Sequence, residues 1–180
     1  MKIFKTFESF LAEGVNDPGI LKAFFMAGGP GSGKSYVAAE LFALPKSDQF
    51  GTVSYDNGLK LVNSDAAFEL LLKKANIDMA ELMKLKDEDP VTWAQAMSIR
   101  DRAKKLTKGT QEMYIQGRLG MIIDGTGKNY GKIEKQVNKM RALGYDCYMV
   151  FVNTSLEVAL ERNAARDRKL PKDMVEKMWG

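Results

Sequence analysis

Short apolar runs alternate along the chain with stretches whose apolar positions recur every three or four residues. Lys22-Ala-Phe-Phe-Met26, Leu59-Lys-Leu-Val62, Leu119-Gly-Met-Ile-Ile123 and Tyr145-Asp-Cys-Tyr-Met-Val-Phe-Val152 predict buried strands. Helical spacing predicts Gly33 to Leu44, with Val37, Ala38, Leu41 and Phe42 on one face, and Ser64 to Ala75, with Phe68, Leu71 and Leu72 inward. Ile133, Val137, Met140 and Leu143 mark a further helix closed by Gly144, and another runs from about Ser155 to Arg166. Strand–helix alternation of this kind implies an α/β domain, a parallel sheet with helices on both faces. The exception is Ile77 to Arg118, helical throughout, whose longest helix starts at Asp89-Pro90 and carries Trp93, Met97, Ile99 and Leu106. Such an insert forms a small lobe over one edge of the sheet, with Trp93, Met79, Met83 and Met97 as packing. Gly51 to Gly58 reads as a loop or small hairpin. Asn16-Asp-Pro-Gly19 reads as a turn. Before it, Phe4, Phe7 and Leu11 predict a short helix stopped by Gly14, packed on the domain or docked on a partner protein. The expected layout is a leader over residues 1–19 and one domain over 20–180, with the helical insert at 76–118.

Composition narrows the chemistry. At 180 residues, 45% apolar and 28% charged, the chain has enough material for one core and is too mixed to be disordered. No run approaches the roughly 18–20 apolar residues of a membrane span. The absence of histidine and the single cysteine, Cys147, exclude His-dependent triads, most zinc sites and any intramolecular disulfide framework. One thiol suits a reducing compartment, so a cytoplasmic protein is expected. Lys5 and Glu8 interrupt the apolar leader, which is unlike a secretory signal. The net charge of +4 is compatible with an anionic ligand such as a nucleotide and too small to argue for nucleic acid.

One motif is specific. Gly28-Gly-Pro-Gly-Ser-Gly33-Lys34-Ser35 fits G-x-x-x-x-G-K-[S/T] without a mismatch, after a predicted strand and before a predicted helix. Glycines let backbone N–H groups turn around phosphate oxygens where a side chain would block approach, and the following helix adds its positive dipole end. The candidate nucleotide-binding residues are Gly28, Gly29, Pro30, Gly31, Ser32, Gly33, Lys34, Ser35 and Tyr36. Lys34 can bridge the β- and γ-phosphates of ATP, and the Ser35 hydroxyl can ligate Mg²⁺. Met121-Ile-Ile-Asp124 ends an apolar strand with a carboxylate suited to the same metal ion. Carboxyl ends of parallel strands form the ligand edge, so Asp124 and the loop should converge.

Four stretches carry a family likeness: Phe25 to Ser35, Val62-Asn-Ser-Asp65, Ile122-Ile-Asp-Gly-Thr126, and Val152-Asn-Thr-Ser-Leu-Glu-Val-Ala-Leu-Glu-Arg-Asn-Ala-Ala-Arg166. With these the sequence resembles the P-loop kinases of small molecules and nucleic-acid ends, notably the zeta-toxin family and the phage polynucleotide kinases. The resemblance implies a three-layer P-loop NTPase fold and a γ-phosphoryl transfer from Mg·ATP to a hydroxyl. The acceptor would be a nucleotide sugar, a nucleoside or nucleotide, or a 5′-hydroxyl nucleic-acid end. It implies that Asp65 orients or deprotonates that hydroxyl, although Asp65 also reads as a first-turn acid behind Ser64 as N-cap. It implies a lid over 155–171 whose Arg162 and Arg166, with Arg168 and Lys169 beyond, neutralise the transferred phosphoryl group. Thr126 and Lys128 would face the acceptor, and Arg100, Arg102, Lys104, Lys105 and Arg118 could wall it from the insert. A phage-encoded protein acting in a host cytoplasm fits the likeness.

The family continues after its lid into another strand and helix. Here Pro171 to Gly180 reads as a helix start, so a minimal four-strand sheet or a truncated chain is expected. The competing reading is a P-loop ATPase or nucleotide-binding switch acting on a protein partner. No Asn-Lys-x-Asp base-reading motif is present, and the donor could be another purine triphosphate.

Overall fold

A computed structural model describes residues 17–42, 58–79, 81–165 and 170–179. The expected leader helix, most of the Gly51–Gly58 loop, and Arg166, Arg168 and Lys169 lie outside the described residues. Four strands, β1 (Lys22–Ala27), β2 (Lys60–Val62), β3 (Met121–Asp124) and β4 (Asp146–Phe151), pair in the order β2-β3-β1-β4. Every pairing is parallel, with Met26 beside Asp124, Val62 beside Ile123 and Ala27 beside Phe151. Seven helices occur among the described residues: α1 (Lys34–Leu41), α2 (Ser64–Lys74), α3 (Leu82–Glu88), α4 (Pro90–Gln116), α5 (Tyr130–Arg141), α6 (Leu156–Ala164) and α7 (Lys172–Trp179).

Successive side chains of a strand point to opposite faces, and here both faces are covered. Ala23 and Phe25 of β1 and Met121 and Ile123 of β3 pack with Tyr114 of α4 and Ile133, Val137 and Met140 of α5. On the other face Phe24, Met26 and Ile122 meet Val37 and Ala38 of α1, with Phe42 just beyond it. A third cluster has no strand in it: Phe68 and Leu72 of α2, Leu82 of α3, and Ala96 and Ala103 of α4, with Ile77, Met79, Trp93 and Met97. Alanines at the α4 contact points let that helix lie close against α2. The 27-residue α4 begins where its sequence directs, because the Asp89 carboxylate accepts from the Thr92 N–H at 3.1 Å and Pro90 occupies the first turn.

Four expectations are corrected. The run Tyr145 to Val152 was expected to be a buried strand, because parallel sheets bury both faces of their strands. β4 is instead an edge strand, paired among the described residues only with β1, and Tyr148, Met149 and Phe151 are about half exposed or more. Leu41 and Leu143, set at helical spacing with inward residues, are at least half exposed, each lying at or just past the end of its helix. The N-cap of α2 is Asn63 rather than Ser64, which is already helical. Arg118 precedes β3, and its carbonyl accepts from the Leu21 N–H ahead of β1. That places it at the amino ends of the strands, opposite the edge where an acceptor would bind.

Candidate active site

The loop from Gly28 to Gly33 joins β1 to α1 at the carboxyl edge of the sheet. Gly31 and Gly33 adopt φ of 81° and 96°, a left-handed region that disfavours side chains. Gly33 is also the N-cap of α1 and makes no side-chain cap, and the positive end of the helix dipole faces the loop. The Lys34 ammonium reaches back over the loop and donates to the Gly28 carbonyl at 2.8 Å and the Gly29 carbonyl at 3.4 Å. Arg162, from α6, donates through Nη1 to the Ser32 carbonyl at 3.0 Å. Ser35 and Tyr36, on the first turn of α1, are exposed, Tyr36 strongly so.

Asp124 ends β3, next to the last residues of β1, and so stands beside the loop. Its Oδ2 accepts from Asn63 Nδ2 at 3.1 Å. Its Oδ1 is buried and has no hydrogen-bond partner among the described residues. Burial pushes this carboxyl above the usual carboxylate range, Lys34 pulls it back, and the charge of Asp65 adds to the rise. A carboxylate with one oxygen shielded from solvent and unpartnered among the described residues is an oxygen donor of the kind a hard divalent cation takes. Asp124 and the Ser35 hydroxyl are oxygen donors of a kind that could hold Mg²⁺. The Ser32 hydroxyl is also buried without a hydrogen-bond partner among the described residues.

Asp65 lies one residue into α2 and is exposed. Its N–H is held by Asn63 Oδ1 at 2.7 Å. Asn63 thus uses one end of its amide to start α2 and the other to hold the Asp124 carboxylate, tying the first turn of α2 to the end of β3. Thr126 follows β3, and its carbonyl accepts from the Gly28 N–H at 3.2 Å, which brings it to the mouth of the loop. Lys128 is exposed two residues on. In the helical cluster, the Arg100 guanidinium sits 5.7 Å from the centre of the Phe68 ring, one turn below Asp65. The sequence motifs thus meet at one edge. Asn63 and Trp179 went unmarked in the sequence; an Asn directly after a strand and before a helical run is a cap signal that could have found the first. Nothing local singles out the second.

The AAA_33 family model, an AAA domain, matches residues 24–179. No curated protein matches the sequence. Among solved structures, a Chloroflexus aurantiacus protein described as a candidate kinase is similar, with a TM-score of 0.53 and 14% identity over 82% of this chain and 68% of its own. A chain of the Pnkp1/Rnl/Hen1 RNA repair complex is similar at TM-score 0.57 and 19% identity, over 89% of this chain and 43% of the other. One from the PezAT toxin-antitoxin system of Streptococcus pneumoniae is similar at TM-score 0.56 and 15% identity, over 91% and 64%. At such identities the likeness is one of fold. No helix among the described residues is long and apolar enough to cross a membrane. The matched span runs from the first core strand through the last described helix, and the chain belongs to the AAA_33 family, an AAA domain built on the P-loop nucleotide-binding fold.

Proposed function

We propose that the chain is an ATP-dependent phosphotransferase that moves the γ-phosphoryl group to a hydroxyl acceptor. The observation that carries this reading is the convergence of the glycine-lined loop, Lys34, the half-satisfied Asp124 and Asp65 at one sheet edge. The loop N–H groups and Lys34 hold the triphosphate. Asp124 and Ser35 would hold Mg²⁺, which when bound supplies charge neutralisation of the phosphates. The acceptor oxygen attacks the γ-phosphorus, the bond to the β–γ bridging oxygen breaks, and Asp65 takes the hydroxyl proton as ADP leaves. Arg162, bonded to the Ser32 carbonyl of the loop, would neutralise charge on the transferred group. Arg166 would join it, and Thr126 and Lys128 would contact the acceptor. The fold shared with a chain of an RNA repair complex supports testing a nucleic-acid end as acceptor beside nucleotides and nucleotide sugars.

The test incubates the protein with γ-labelled ATP and three acceptor pools: 5′-hydroxyl oligonucleotides, nucleotide sugars, and nucleosides with nucleotides. Label should move to one pool. Asp65→Asn should lose transfer by about 10²–10⁴-fold, the usual worth of a general base, with ATP affinity unchanged. Lys34→Ala should lose both affinity and turnover. Label released only as free phosphate would replace the kinase reading with an ATPase acting on a partner.

A further inference from the structure

The motif G-x-x-x-x-G-K-[S/T] leaves its second position open, and this chain places Gly29 there. The backbone does not demand that glycine, because Gly29 is absent from the positive-φ positions that include Gly28, Gly31 and Gly33. What excludes a side chain is the C-terminal helix. A Cβ on Gly29 would lie 2.8 Å from Cε2 and 2.9 Å from Nε1 of the Trp179 indole, closer than real carbon contacts allow. The same indole Nε1 donates to the Pro30 carbonyl at 3.3 Å. The indole is therefore packed against the loop and bonded to it.

Three further carbonyls of the loop are held in the same manner, those of Gly28 and Gly29 by Lys34 and that of Ser32 by Arg162. In a trans peptide the carbonyl and the following N–H point in opposite directions. Holding the Pro30 carbonyl from the α7 side therefore turns the Gly31 N–H away from α7, and holding the Ser32 carbonyl does the same for Gly33. Anion cradles are made by successive N–H groups so aimed. The helix that carries Trp179 is itself anchored. Val175 is fully buried, and Leu170, two residues ahead of α7, is held by Asn163, whose amide donates to the Leu170 carbonyl at 2.8 Å and accepts from its N–H at 3.0 Å.

We propose that Trp179 is a positioning residue for the phosphate loop, so that nucleotide affinity depends on the seating of α7 and bound nucleotide in turn tightens that seating. Reciprocity of this kind is required by linkage between two coupled equilibria. The inference rests on the nucleotide-binding part of the proposed function and goes beyond it, because it assigns a role in that binding to the C-terminal helix.

The experiment measures MgADP affinity by calorimetry and nucleotide-free melting temperature for the full chain and its variants. Trp179→Phe keeps a ring against Gly29 and removes the donor. It should weaken MgADP by about fivefold, the worth of one hydrogen bond, while the nucleotide-free melting temperature stays near that of the parent. Gly29→Ala should weaken MgADP binding in the parent chain and lose most of that penalty in a Trp179→Ala background, where the Cβ has room. In a Trp93→Phe chain, Trp179 emission should change on adding MgADP with a midpoint equal to the calorimetric Kd. Parent-like affinity for Trp179→Phe, with an equal Gly29→Ala penalty in both backgrounds, overturns the proposal and leaves the nucleotide site standing. A parent chain that binds no MgADP at all brings down both.

Discussion

Asp124 is where function and stability pull apart at the scale of one residue. A carboxylate buried beside a second acid, with one oxygen idle, is retained at a cost to the folded state that a bound cation would remove. Its folded proton affinity is raised above the ordinary carboxylate range, so the unfolded chain gives up that proton first as pH rises. The contribution of Asp124 to metal-free stability should therefore fall as the pH climbs past the ordinary carboxylate range. Asp124→Asn keeps an acceptor for the Asn63 amide and removes the charge. In EDTA at neutral pH it should stabilise the protein by about 1 kcal/mol, read as a rise of a few degrees in melting temperature, while abolishing phosphotransfer. Adding Mg²⁺ with nucleotide should raise the melting temperature of the parent more than that of the variant. A variant less stable than the parent in EDTA would show that Asp124 is structurally satisfied and not waiting for a metal. The position of Asp124 was legible from an apolar run ending in an acid. Its idle oxygen was not, because that depends on which side chains arrive from β2 and α1.

At the scale of elements, the site is assembled where β2 hands over to α2. Asn63 caps the helix through Oδ1 and restrains Asp124 through Nδ2, two jobs that one substitution can separate. Asn63→Ala removes both and should cost about 1–2 kcal/mol by chemical denaturation, the usual range for a lost N-cap. Asn63→Ser retains a good cap on a shorter side chain, so it should recover most of the stability but not the hold on Asp124. Turnover should remain low in both. If Asn63→Ser restores turnover as well as stability, the link to Asp124 has no functional weight. Strands and helices were largely readable here because each apolar run is flanked by a turn signal and a periodic stretch. The cap slipped by one residue, Ser64 to Asn63, since both types cap well and only the backbone decides which stays outside the helix.

The order of strands belongs to the whole molecule, and it is the feature that local pattern conveyed least. The run from Tyr145 to Val152 has the composition of a central parallel strand, yet β4 stands at the edge with β1 as its only neighbour among the described residues. Composition reports that a strand is apolar; it does not report how many elements arrive to cover it. Two large apolar residues of the same sheet should therefore respond oppositely to truncation. Ile122, in β3, is 1% exposed and locked between the β1 and α1 side chains, so Ile122→Ala should cost about 2–5 kcal/mol. Phe151, in β4, is 67% exposed, so Phe151→Ala should change stability by no more than about 0.5 kcal/mol despite removing a larger side chain. Urea midpoints of the two variants, compared at equal denaturant slope, decide the matter. A loss at Phe151 as large as that at Ile122 would mean that β4 is covered in solution and that the four-strand edge described here is not the edge of the folded molecule. A Phe151 variant that keeps the parent's midpoint while Ile122→Ala falls would fix the sheet at β2-β3-β1-β4, with the phosphate loop springing from a strand, β1, that is flanked on both sides.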